Sequence, residues 1–121
     1  MMPVILEGGV VAAAEETLVK TSPVTSGCIM TVLSALARDK TSAIATRIEI
    51  GVLDGSREIP FYAGAGSFAA KIPAVVYWPC LLMPGQSIYA RFLTPTAGDL
   101  LEVVAHGFVE PLCGPHDDFY R

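Results

Sequence analysis

His116, Asp117 and Asp118 stand in a row near the C-terminus, an imidazole beside two carboxylates, and all three are side chains that bind divalent metals. Consecutive residues splay apart, however, and a metal site needs three or four ligands converging on one point. The triplet therefore reads as part of a solvated tail. His106 with Cys80 or Cys113 supplies a base and a thiol, the elements of nucleophilic catalysis. No third residue placed to orient the imidazole accompanies either pairing. His106 alternates to the same face of its segment as Glu102, so it reads as a strand histidine on a polar face. The stretch AGAGS (residues 63–67) has the glycine content of a phosphate-cradling loop. FAAKIP follows it in place of a capped helix, so an inter-strand turn is the expectation. Tyr77 and Trp78 are suited to stacking on a sugar ring, and equally to a core or a subunit contact, where aromatic side chains concentrate. No catalytic residue, metal ligand set or cofactor is expected, and the chain reads as a non-enzyme.

The elements that must position these residues belong to a chain of 121 residues, enough for one domain. Hydrophobic residues make up 52% and charged residues only 17%, too few to cover the surface of so small a domain. Part of that surface is expected to be buried against other chains. The net charge is −4 and no two basic residues are adjacent, which excludes the clustered cations of a nucleic-acid footprint. Cys28, Cys80 and Cys113 are odd in number and widely spaced, unlike a disulfide framework or a CxxC clamp. Cys28 and Cys80 read as small core residues of a protein made in a reducing cytoplasm. MMPVILEGGVVAAAEE lacks the basic start of a signal peptide. The longest apolar stretch, residues 72–85, holds Pro73, Pro79 and Pro84 and falls short of the roughly 20 residues of a membrane-crossing helix.

Period-two alternation dominates. In RIEIGVLDG, Ile48, Ile50 and Val52 face one way against Arg47 and Glu49; Asp54-Gly55 then makes a tight turn and REIPFYAG returns. VVYWPC is a β-branched and aromatic strand in which Pro79 calls for an edge or a bulge. Met83 to Gln86 is a turn whose Pro84-Gly85 pair suits type II geometry. SIYARFL follows with Ile88, Ala90 and Phe92 on one face. After TPTAGD (94–99), LLEVVAHGFVE sets Leu101, Val103, Ala105 and Val109 against Glu102, His106 and Phe108. Upstream, ETLVKTS (16–22) is a short strand. SGCIMTVLSALAR (26–38) has helix-like spacing at Leu33, Leu36 and Ala37, but strand-prone Cys28, Ile29, Thr31 and Val32 make it a strand leading into an ARDKTSA loop. About seven or eight short strands with regular turns make an all-β, antiparallel β-sandwich of jelly-roll type over residues 15–110. Residues 1–14 and 111–121 are expected to extend from it as N-terminal and C-terminal arms.

The order of these pieces over residues 26–110 (ARDKTSA, RIEIGVLDG, then PGQSIYARF and TAGDLLEVVAHGFVE) resembles the small β-sandwich virion proteins of tailed bacteriophages. These include capsid decoration (cement) proteins and neck or tail adaptors. The shared features are a PG-Q-S-hydrophobic turn and strand and a closing AGD-hydrophobic strand. The resemblance implies a homo-oligomer, dimer or trimer, that stabilises the phage head by bridging capsid subunits. Its partners would be the major capsid protein or neck and tail proteins, its place the capsid exterior or neck, and it would bind neither nucleic acid nor membrane. A head–tail connector or tail adaptor subunit is the alternative within that class. A carbohydrate-binding module of a host-recognition apparatus is the alternative outside it. Tyr77 and Trp78, with Phe119 and Tyr120 at the end of a tail broken by proline and glycine, are the expected interface anchors.

Overall fold

Alternating residues make strands wherever one face can be buried, and here they build two antiparallel sheets packed face to face. The structure, a computed structural model, describes residues 1–13, 15–42, 44–45, 47–64, 67–68, 73–77 and 79–112. Trp78, Cys113, His116, Asp117, Asp118, Phe119 and Tyr120 lie outside the described residues, as do Ala65 and Gly66 of the AGAGS stretch. The strands among the described residues are β1 (Met2–Val11), β2 (Thr17–Lys20), β3 (Cys28–Asp39), β4 (Ile44–Ala45), β5 (Ile48–Asp54), β6 (Arg57–Gly64), β7 (Ser67–Phe68), β8 (Ala74–Val76), β9 (Cys80–Leu82), β10 (Ser87–Phe92) and β11 (Leu100–Pro111).

One sheet runs β1-β11-β3-β8, with β9 also on β3, and the other runs β2-β10-β5-β6; β4 and β7 form a separate two-stranded pair. If β8 and β9 are taken as one interrupted edge strand, successive principal strands alternate between sheets, except at the β5-β6 hairpin, which stays in one sheet, in the double wrap of a jelly roll. The fold is therefore the expected all-β sandwich. Pro79 sits in the break between β8 and β9, on an edge, where its missing N–H costs no ladder bond.

The core lies between the sheets. Met30, Val32, Ala35, Ala37, Leu82, Leu101, Val103 and Ala105 face Val19, Ile48, Ile50, Ile88, Ala90 and Phe92, all buried. Each such large side chain contributes about 1.5–3 kcal/mol by leaving water. Val52 is partly buried and packs against this cluster from the Gly51 side of a bulge, where Ile50 pairs with Tyr62 but Gly51 with Pro60. Met83 to Gln86 is the expected turn: Gly85 takes φ of 85° and the Gln86 N–H donates to the Met83 carbonyl at 3.0 Å.

The N-terminal arm is corrected. Met2 to Val11 pair along their length with Val109 to Leu100, so β1 is the edge strand of a sheet. Val4 and Leu6 turn inward onto the core, while the middle of β1 meets the end of β2, where Ser22 N donates to the Glu7 carbonyl at 3.3 Å. Partial burial of alternate residues and a full antiparallel ladder give this segment no reason to leave the sandwich. β3 also extends to Asp39, so the first three residues of the expected ARDKTSA loop, Ala37 to Asp39, are strand.

Candidate functional site

Three places on this scaffold gather polar or exposed apolar side chains. The first is the outer face of the β2-β10-β5-β6 sheet. Tyr89 and Arg91 lie two residues apart on β10 and therefore on one face, and the ladder sets Tyr89 opposite Gly51 and Arg91 opposite Glu49. Tyr89 is fully buried although it faces away from the core. Its ring occupies the space over Gly51, where a Cβ would come within 2.8 Å of the ring, and Arg91 lies 5.7 Å above the ring centroid. The Tyr89 hydroxyl donates to Glu49 Oε2 at 2.7 Å. Arg91 reaches the same oxygen at 3.0 Å, Glu16 at 2.5 Å, and Glu58.

One guanidinium thus joins β10 to β5, β6 and the approach to β2. Burial and the Glu49 carboxylate push the Tyr89 phenol upward, the Glu58 bond pushes Arg91 upward, and Arg91 holds Glu58 below its ordinary value. Every one of these groups is spent on another, so the cluster fastens strands and has no free base. Arg91→Lys is expected to lower Tm by roughly 4 °C, since an ammonium cannot span three carboxylates as a planar fork does. Thermal melts of the two proteins at low and high salt would check it, the difference shrinking as salt screens the pairs.

The second place is the junction of β3 with β11. Asp39 ends β3, and Asp99 follows a turn in which Gly98 has φ of 90° and Asp99 N–H donates to the Thr96 carbonyl at 3.1 Å. Both aspartates are buried.

The third is the outer face of the β1-β11-β3-β8 sheet. Cross-strand rows there read Pro3–Phe108–Thr31–Leu81, Ile5–His106–Ser34 and Glu7–Val104–Leu36–Val75. Ile5 is 59% exposed, Leu81 54% and Leu33 47%. Pro3, Val4, Ile5, Leu33, His106, Gly107 and Phe108 line a shallow groove of about 490 Å³. Leu33 is the extra residue of a bulge, since His106 pairs with Ser34 and Gly107 with Val32, and the bulge pushes it out of register. Ion pairs of Glu102 with Arg38 and with Lys40, the latter at 3.7 Å, border this face at its other end.

The residues singled out in sequence fall apart in space. His106 is on the outer face beside Ile5, whereas Cys80 lies opposite buried Val32 and packs against the core, so the two point to opposite sides of one sheet. Burial raises the Cys80 thiol, which disfavours the thiolate a nucleophile needs. Tyr77 is 80% exposed at the break between β8 and β9. Among the described residues no three His, Cys, Asp or Glu side chains are grouped to hold a metal, and no helix is long and apolar enough to cross a membrane. Sequence reasoning missed the Arg91 cluster and the Asp39–Asp99 pair. The one available signal was the outward spacing of Tyr89 and Arg91.

The fold and these sites define a jelly-roll β-sandwich with a polar fastening on one outer face and an apolar outer face on the other sheet. No family model matches the chain, and no curated protein matches it. Solved structures similar to it include FLHE, at 9% identity over 88% of this chain and 98% of that one, TM-score 0.42. Eiger TNF from S. frugiperda is similar at 11% identity, over 95% and 98% of the two chains, TM-score 0.42. A Podospora anserina GH26-CBM35 β-(1,4)-mannanase matches at 18% identity over 96% of this chain and 29% of its own, TM-score 0.38.

Proposed function

We propose that this protein is a non-catalytic structural subunit of a tailed-phage virion that assembles with its own copies and cements the head by bridging capsid subunits. The observation that carries the reading is the outer face of the β1-β11-β3-β8 sheet. Ile5, Leu33 and Leu81 are exposed there with Phe108 half-buried beside them, an apolar patch whose nearest charges, Glu7, Arg38 and Glu102, lie towards one end, the composition of an interface centre. Several such contacts made at once turn weak individual docking into tight attachment. A neck or tail adaptor would use the same surface, and Tyr77, Trp78, Phe119 and Tyr120 are the aromatic anchors of the proposal.

Light scattering of the purified protein is expected to give a dimer, a trimer or a capsid-bound form. Ile5→Glu with Leu33→Glu should give a monomer with an unchanged circular dichroism spectrum. A wild-type protein that stays monomeric at high concentration and has no affinity for capsids would sink the proposal. The exposed ring of Tyr77 favours a second reading, a carbohydrate-binding module. Glycan binding abolished by Tyr77→Ala, in a protein with no assembly of its own, would favour that reading over the first.

A further inference from the structure

Two carboxyl groups meet where the chain leaving β3 closes onto the turn that enters β11. Asp39 is 2% exposed and Asp99 5%, and Ser42 bridges the two side chains, its N–H on Asp39 and its hydroxyl on Asp99. Asp39 Oδ1 is well satisfied, accepting the backbone N–H of Thr41 at 2.8 Å and of Ser42 at 3.0 Å. Asp99 Oδ2 accepts the Ser42 hydroxyl. Asp39 Oδ2 is buried and no donor reaches it. The surrounding backbone is closely tied: Lys40 N–H to the Leu100 carbonyl at 2.8 Å, Leu100 N–H to Thr41 Oγ1 at 3.0 Å, Ala12 N–H to the Asp99 carbonyl at 2.8 Å. A single orphaned oxygen in so well-satisfied a junction calls for an explanation.

The charged groups on the packed elements do not supply one. Arg38 and Lys40, on either side of Asp39, both engage Glu102. Glu102 is opposite Arg38 on the outer face, whereas Asp39 is opposite the buried Leu101. Glu7 on β1 is exposed on that outer face, and Glu16, beyond the Ala12 segment, is held by Arg91. Two ionised carboxylates in contact away from water repel each other, and each presents only acceptors. One proton on Asp39 Oδ2, donated to Asp99, removes both faults. A divalent cation would also do so, but calcium takes six to eight oxygens and magnesium six. Beside its two carboxylates the junction offers the hydroxyls of Thr41 and Ser42, engaged with the Leu100 N–H and with Asp99, and no third acidic, His or Cys ligand joins them among the described residues.

We propose that Asp39 and Asp99 share one proton and act as a pH-operated latch, holding the Asp39–Ser42 segment to the Thr96–Asp99 turn in acid and releasing it as pH rises. Burial and the neighbouring Asp99 carboxyl raise Asp39 above the ordinary aspartate value of 3.8, against the two N–H bonds, which lower it. Because the folded value is the higher one, the latch contributes fully below about pH 4 and its contribution is lost as pH rises through the folded value. Lys40, Leu100, Leu101 and Glu102 line a shallow groove with Glu7 to Val11, so release would reshape that end of the outer face.

The experiment compares thermal melts of wild type, Asp39→Asn and Asp99→Asn between pH 4 and 8, with a ¹³C NMR titration of the aspartate carboxyls in the wild type. Asparagine at position 39 still accepts both N–H groups and donates to Asp99 at every pH. It is expected to raise Tm by roughly 4 °C or more at pH 7.5, the gain vanishing near pH 4, and Asp99→Asn should act in the same sense. The opposite slope from Glu58, held low by Arg91, is common to all three proteins and cancels in the difference. One aspartate carboxyl of the wild type should titrate above its ordinary range. Parallel melting curves of wild type and Asp39→Asn overturn the latch, as does ordinary titration of every aspartate. A rise in wild-type Tm with millimolar calcium at pH 7.5, reversed by chelator and absent in Asp39→Asn, overturns it in favour of a cation site.

Discussion

Phe92→Ala is expected to lower the free energy of unfolding by about 3–5 kcal/mol, the cost of a large cavity in a core that cannot close over it. Phe92 ends β10 and has no exposed surface. Its backbone is held on both sides, opposite Ile48 on β5 and Thr17 on β2, so the strand cannot shift to fill the gap. Across the sandwich the opposing sheet contributes Met30, Leu82 and Leu101 together with the smaller Val103, Ala105, Ala35 and Ala37, so the void closes only in part. Urea denaturation should show a lower midpoint with an unchanged slope. A loss below roughly 1 kcal/mol would mean that β10 is out of register by one residue, because such a slip exchanges its two faces and puts Tyr89 and Arg91 inside.

That register was legible in the sequence because one face of β10 is apolar and the other is not. Ile48 and Ile50 were legible on β5 for the same reason, and Pro84-Gly85 because few turns accept that pair. β1 was not. Its outward residues, Pro3, Ile5 and Val11, are as apolar as the inward Val4 and Leu6, so no alternation marks which face is buried. A strand with two apolar faces looks like an arm until its partner is known. β3 was ambiguous for a local reason. The extra residue at Leu33 breaks the period of two, and the resulting spacing of Leu33, Leu36 and Ala37 imitates a helix. The polar sites were beyond reach of pattern. Arg91 meets Glu16, Glu49 and Glu58 only through three separate chain segments, and Asp39 meets Asp99 only because β3 and β11 pair. Local spacing says nothing of either meeting.

The same bulge sets the second large effect, at Gly107. This residue is buried on β11, between β1 and β3, and its Cα direction is inward, opposite Val4 and Val32. The extra residue at Leu33 brings the backbone of β3 close at this level. A Cβ on Gly107 would fall on the Thr31 carbonyl oxygen, and would come within 2.9 Å of the Thr31 carbonyl carbon and 3.0 Å of the Val32 Cα. All three are backbone atoms, so no rotamer change relieves the overlap. Relief requires β3 and β11 to separate where they pair most extensively, which breaks ladder bonds in the middle of the sheet. Gly107→Ala is therefore expected to cost about 3 kcal/mol or more, at the upper end of what overpacking costs. Gly9→Ala is the control: it lies in the adjacent strand, and its added methyl would approach only the Leu101 carbonyl oxygen, at an ordinary 3.5 Å. That change should stay within about 0.5 kcal/mol of wild type. Paired denaturation curves decide the matter. Equal effects at the two positions would place the bulge somewhere other than beside Gly107, and with it the outward turn of Leu33 on which the assembly face depends.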